Sequence, residues 1–431
     1  MNYTYKNIWL INVPVMMSIL IEQLINITDA VFLGHVGEIE LGASAVAGTW
    51  YLAVYMLGFG FSQGLQVVVA QRNGEQRYAE TGRIFFQGLF LLSGFAVALC
   101  LFSNWFSPVV LSKLIMSGEV YHALMDYMDW RIWGLLFSFP FLALRSFLVG
   151  ITRTKALGVA ALAAVLVNIL ANWLLIFHLD MGIAGAAIAS SFAEFCSLAV
   201  LSAYVLRKMD KRHYGLHCRY DKRVLCNVCR MSVWSMLQSF VGVAPWFMFF
   251  VSIEHLGEMQ LAMANIVRSV STLFFVIVNS FAATTSSLVG NLIGANEKGK
   301  VLSTCGRVIR LGYMIGFPLI AVALLFHQPI VGVYTDNMVI VHASWLPFAV
   351  MLMNYVFALP GYVYMNAVIG MGATRMAFMF QATTIAAYIL YLLGLNYCNV
   401  PLAVYWTVEY LFVIGLGVPS FIHLKFNTIK R

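Results

Sequence analysis

Long apolar stretches alternate with short polar segments along the whole chain. The stretches fall near 9–34, 42–71, 80–107, 122–150, 155–178 and 183–208, then 231–254, 262–291, 302–328, 341–370, 374–395 and 400–425. Each reaches or exceeds the ~20 residues needed to cross a bilayer as a helix. The pattern predicts twelve membrane-spanning helices and no sheet. The first stretch contains Asp29 and lacks a small-residue cleavage pattern, so it is expected to stay as a helix.

The second six stretches repeat the first six at an offset of 220 residues. His35, Gly37 and Leu41 fall on His255, Gly257 and Leu261; Phe61, Val69 and Gly74 fall on Phe281, Val289 and Gly294. Phe137, Pro140, Gly150 and Thr154 fall on Phe357, Pro360, Gly370 and Thr374. Repetition within an apolar chain is typical of transporters, and an even number of spans per repeat gives both copies one orientation. The fold class expected is an all-α polytopic membrane protein, its twelve transmembrane helices forming two pseudo-symmetric six-helix lobes. Residues 1–208 form the N-terminal lobe, 209–230 a basic cytoplasmic linker and 231–431 the C-terminal lobe.

Charge gives the helix count an independent check. The chain is 61% hydrophobic and 10% charged, against about 25% charged residues in a soluble protein. With loops numbered alternately from inside, Lys6, Arg72, Arg77, Arg83, Arg153, Lys155, Lys298, Lys300, Arg375 and Lys425 fall on one side, together with the basic linker. Lys113 is the lone basic residue of the loops on the other side. Positive charge marks the cytoplasmic face, which predicts a multi-pass protein of the plasma (inner) membrane with both termini cytoplasmic. The net charge of +8 is spread over these segments, so no nucleic-acid partner is expected. The seven cysteines are scattered and give no disulfide framework. Cys226-x-x-Cys229 has no second pair, and no structural metal is expected. No nucleotide-binding glycine loop or hydrolase motif is present, so the chain is read as a non-enzyme without a cofactor.

Polar residues inside the spans are the candidate chemistry. A carboxylate in mid-bilayer costs ~3 kcal/mol on insertion scales and usually faces a cavity. Asp29 lies deep in the first span, with Glu22 and Asn26 at i, i+4, i+7 spacing on one helical face and Pro14 before them. Asn168 and Asn172 are one turn apart in the fifth span; Ser190, Ser191 and Glu194 lie in the sixth. Around Asp29 these groups could supply oxygen ligands to Na⁺, or hydrogen bonds around a proton-accepting carboxylate. Asn and Ser also join helices without further function. The repeat is asymmetric here. Phe249 stands opposite Asp29, Tyr388 opposite Asn168 and Leu392 opposite Asn172, while Glu409 pairs roughly with Glu194. The cation-coupling candidates are therefore Asp29, Asn168, Asn172, Ser190, Glu22 and Glu194. Asn26, Thr285 and Glu409 are candidates for a substrate cavity.

Short motifs recur in order along the chain: Pro14, Asp29, Gly34, Gly37 and Leu41-Gly42-Ala43; Gln63-Gly64; Ala70-Gln71-x-x-Gly74; Leu148-Val149-Gly150; Gly182-x-x-Gly185-Ala186-Ala187; and Leu288-Val289-Gly290-x-x-x-Gly294-Ala295-Asn296. Together they resemble the multidrug and toxic compound extrusion family. The resemblance covers nearly the whole chain. It implies two lobes around a cavity that opens alternately to each side. It also implies efflux of small organic, often cationic, compounds in exchange for Na⁺ or H⁺. Asp29 resembles the family's coupling aspartate, Asn168 its fifth-helix asparagine, and Ser190 a sixth-helix hydroxyl. Asn172 departs from it, since related members often carry aspartate there. A monomer in the lipid bilayer is expected. The alternative is a flippase for a lipid-linked saccharide or similar amphiphile, which would place cations in the cavity; Arg131 and Arg268 are the candidates considered, Arg131 near the outer interface.

Overall fold

The computed structural model describes residues 3–115, 117–335, 337–398 and 400–429. Among the described residues there is no strand, and twelve helices are long and apolar enough to cross a membrane. They are α1 (Tyr5–Val36), α2 (Ile39–Gly74), α3 (Tyr78–Lys113), α4 (Gly118–Gly150), α5 (Lys155–His178) and α6 (Gly182–Lys208), followed by α7 (Lys222–Glu254), α8 (Met259–Gly294), α9 (Lys298–Leu325), α10 (Trp345–Gly370), α11 (Thr374–Cys398) and α12 (Leu402–Thr428). Helices satisfy their own backbone groups, which is what an apolar solvent demands.

The chain forms two compact units. One is Val13–Ser239; the other is Met1–Asn12 with Phe240–Arg431. In the first, α2 packs on α3 and α4, α3 on α4, α4 on α6, and α5 on α6. In the second, α8 packs on α9 and α10, α9 on α10, α10 on α12, and α11 on α12. The second set is the first shifted by six helices, so the sequence repeat is a repeat of packing.

Several local features position the site. Helix α1 runs unbroken through Pro14. Helix α4 tightens into a 3₁₀ turn at Ile132–Gly134, directly after Arg131. Helix α5 ends in a π-helical turn, Trp173–His178, directly after Asn172. Such interruptions in a helical ladder are frequent at functional sites. Asp180 and Gly182 both take positive φ, at 49° and 50°, which reverses the chain from α5 into α6 within three residues.

The basic segment does not remain a loop up to residue 230. Asp221 accepts from the backbone N–H groups of Arg223 (2.9 Å) and Val224 (3.3 Å). This cap starts α7 at Lys222 by satisfying two orphan donors of its first turn. The segment before it is tied to α3: Gln87 donates to the Arg219 carbonyl at 2.6 Å and accepts from the Asp221 N–H at 3.2 Å. His213 stacks on Tyr78, with ring centroids 4.5 Å apart.

Close helix contact depends on missing side chains. A Cβ at Gly60 would meet the Ser235 carbonyl oxygen at 2.5 Å, and one at Gly64 would overlap the Cα of Ser232. Gly64→Val is expected to force α2 from α7 and cost about 1–3 kcal/mol, the usual penalty of overpacking. Thermal unfolding in detergent micelles measures it; an unchanged midpoint would contradict this packing.

Candidate functional site

Three side chains of the Val13–Ser239 unit converge on the carboxylate of Asp29. Asp29 of α1 is 9% exposed, while Asn168 and Asn172 of α5 are fully buried and Ser190 of α6 nearly so. Asn168 donates to Asp29 Oδ1 at 3.0 Å and Asn172 to the same oxygen at 2.6 Å. Ser190 donates to Oδ2. The donors also bind each other: Asn168 Nδ2 lies 3.2 Å from Ser190 Oγ, and Asn172 Nδ2 lies 3.2 Å from Asn168 Oδ1. Asn172 Oδ1 is buried and has no hydrogen-bond partner.

This geometry suits an anion. A carboxylate is acceptor-only, and here it receives three donors. Protonation would turn one acceptor oxygen into a donor: on Oδ2 the Ser190 hydroxyl can accept it by turning its hydrogen, whereas on Oδ1 the facing amides must turn. Such a turn would also bring amide oxygens toward Asp29, giving a cation up to five side-chain oxygens from Asp29, Asn168, Asn172 and Ser190. Oxygen is the ligand a hard cation prefers. Either event loads α1, α5 and α6 together.

Glu194 lies in a neighbouring cluster rather than on Asp29. Arg131 donates to it at 2.7 Å, with the two side chains 12% and 23% exposed. Tyr51 of α2 donates to both carboxylate oxygens, at 3.0 and 3.1 Å. The guanidinium lies over the Tyr51 ring, 3.7 Å from its centroid. A Cβ at Gly134 would strike both Arg131 and Glu194, so the ion pair needs the bare backbone of the 3₁₀ turn. Arg131 is therefore a paired cation, largely buried within the protein. Its charge also acts on Asp29, which links the two clusters electrostatically.

The row Glu22–Asn26–Asp29 does not share one environment. Asp29 is covered, while Glu22 and Asn26 are exposed. The charges of Arg145, Glu194 and Arg131 act on Glu22. Whereas Arg268 is exposed, Arg145 of α4, 7% exposed, is a buried cation in addition to Arg131. Its signal was plain in the sequence: one arginine within the run Phe139–Leu148.

The other unit fills the equivalent positions differently. Phe249 and Tyr388 are fully buried and Leu392 nearly so. Trp406 packs on Phe249 with centroids 4.6 Å apart. Glu409, 4% exposed, accepts from Tyr388 at 3.0 Å. Thr285 is fully buried and donates to the Phe281 carbonyl at 2.7 Å within its own helix. An aromatic cluster thus stands where the first unit has its polar site.

The family model MatE matches residues 14–174 and 233–404. The chain belongs to this family. Among MatE relatives, the multidrug resistance protein NorM of Aliivibrio fischeri is 22% identical over 381 residues, covering 83% of this chain and 81% of its own. Multidrug and toxin extrusion protein 1 of Homo sapiens is 25% identical over 329 residues, covering 73% of this chain and 56% of its own. Of solved structures, an outward-facing multidrug resistance MATE family transporter of the MOP superfamily superposes with a TM-score of 0.90 at 16% identity, covering 98% of this chain and 96% of that one. A MOP superfamily transporter of Pyrococcus furiosus, described as having a binding pocket of reverse polarity, gives 0.87 at 16% identity, covering 98% and 94%. At such identity the structural likeness establishes the MatE fold alone.

Proposed function

We propose that this chain is a secondary active exporter of small organic compounds that exchanges them for Na⁺ or H⁺ by alternating access. Family membership and the multidrug extrusion named for its relatives support the substrate class. The carrying observation is the Asp29 carboxylate held by Asn168, Asn172 and Ser190 in one repeat only. Ion binding there rearranges α1, α5 and α6 and lowers substrate affinity; loss of the ion restores it. A ligand shifts such an equilibrium only through different affinity for the two states. The protein acts as a monomer in the plasma membrane with both termini cytoplasmic. Glu22 and Glu194 shape the local charge, and Asn26 and Glu409 are further polar groups toward which substrate chemistry is sought.

The flippase reading calls for unpaired interior cations. Arg131 is neutralised by Glu194, while Arg145 is held by no ion pair among the described residues; the exporter is preferred on the multidrug extrusion named for the relatives.

The test is ethidium transport by the purified full chain in liposomes, with Na⁺ and pH gradients imposed separately. One gradient is expected to drive transport against the ethidium gradient. Transport driven by neither would overturn the reading.

A further inference from the structure

Helix α2 carries a ladder of three rings at successive turns. Tyr51 and Tyr55 lie 6.3 Å apart with planes at 17°, and Tyr55 and Phe59 lie 6.4 Å apart with planes at 24°. An arginine caps each end: Arg131 over Tyr51, and Arg145 over Phe59 at 5.6 Å. The two ends differ. Arg131 is held by Glu194. Arg145 is 7% exposed, its Nε is buried without a hydrogen-bond partner, and no ion pair holds it among the described residues. Glu22 is exposed and coupled to it without reaching ion-pair distance. Tyr55 and Phe59 are half-buried.

A largely buried guanidinium with a buried, unused donor is costly unless a partner completes it. Its planar fork matches a carboxylate bidentately. Aromatic faces next to it suit a flat apolar body. The geometry points to Arg145, with Tyr55 and Phe59, as a docking site for aromatic compounds that carry a carboxylate. This names a substrate class for the exporter proposed above and rests on that reading for its transport role. Glu22 opposes the anion by its like charge and favours a cationic group on the same compound.

The test is equilibrium binding of anthracenecarboxylate to the purified full chain, followed by the probe's fluorescence, beside anthracenylmethyl-trimethylammonium, which has the same rings and the opposite charge. Arg145→Gln and Arg145→Lys are both expected to weaken the carboxylate about 10- to 100-fold, the value of a hydrogen bond to a charged group. Binding of the ammonium probe stays within about twofold or tightens. Arg145→Lys keeps the charge and stem, so it carries the test if Arg145→Gln does not fold. Glu22→Gln is expected to tighten the carboxylate and weaken the ammonium. Equal loss of both probes, unchanged carboxylate binding, or no carboxylate binding by the wild type overturns the assignment. Binding needs no gradient, so its failure is separate from a failure of ion-driven transport.

Discussion

Asp29→Asn is expected to reduce gradient-driven export to background while leaving the fold intact. The amide keeps the shape of the carboxylate and one acceptor oxygen for Asn168, Asn172 or Ser190. It cannot bind a proton, and it offers a cation a dipole in place of a charge. A charge-assisted interaction contributes about 1.5–3 kcal/mol, so ion affinity at this site should fall by about 10- to 100-fold. The ion can then no longer bias the equilibrium between the two states. Substrate binding without a gradient should persist, because Asp29 is assigned to the ion and not to the substrate. The measurement is ethidium transport in liposomes for wild type and variant, with ligand-free thermal unfolding as the check on folding. Undiminished gradient-driven export by Asp29→Asn would remove this residue from the coupling role.

The same constraints explain what was legible before the structure. A bilayer imposes apolar length and charge sidedness on each span, so twelve helices stand out, and the 220-residue offset reappears as the same packing in each unit. Asn168 and Asn172 were legible because two amides one turn apart interrupt an apolar helix. Their convergence on Asp29, 139 and 143 residues away, is a tertiary fact hinted at only by shared depth. Thr285 and the nearby Ser280 of α8 were harder to read. Ser280 and Thr285 both donate to carbonyls in the preceding turn, and a hydroxyl satisfied in this way can pack in a core as readily as it can face water. Tyr51 gave no signal, since tyrosines are common in such spans; only its bonds to Glu194 distinguish it. The 3₁₀ turn that exposes Gly134 to the ion pair also left no mark, since Ile132-Trp133-Gly134 is compatible with continued α-helix.

Glu194→Gln is expected to destabilise the protein more than Arg131→Met, although the two remove opposite halves of one ion pair. Glu194→Gln leaves the Arg131 guanidinium, 12% exposed, without its carboxylate, and its Nη1 is already buried without a partner. Arginine cannot shed its charge, so the cost should approach the ~3–5 kcal/mol of an orphaned buried ion. Arg131→Met leaves a glutamate that keeps the Tyr51 hydrogen bonds and can accept a proton to become neutral, which caps its penalty lower. Removing both, as Arg131→Met with Glu194→Leu, should recover most of the loss, because apolar replacements of a buried pair are often neutral. Unfolding in mixed micelles, read as a double-mutant cycle, gives the coupling. Equal losses for the two single variants would contradict this asymmetry. Transport by the folded double variant then separates two roles for Glu194. Retained coupling assigns it to holding Arg131 beside Asp29, whereas lost coupling at full stability assigns it to the ion itself.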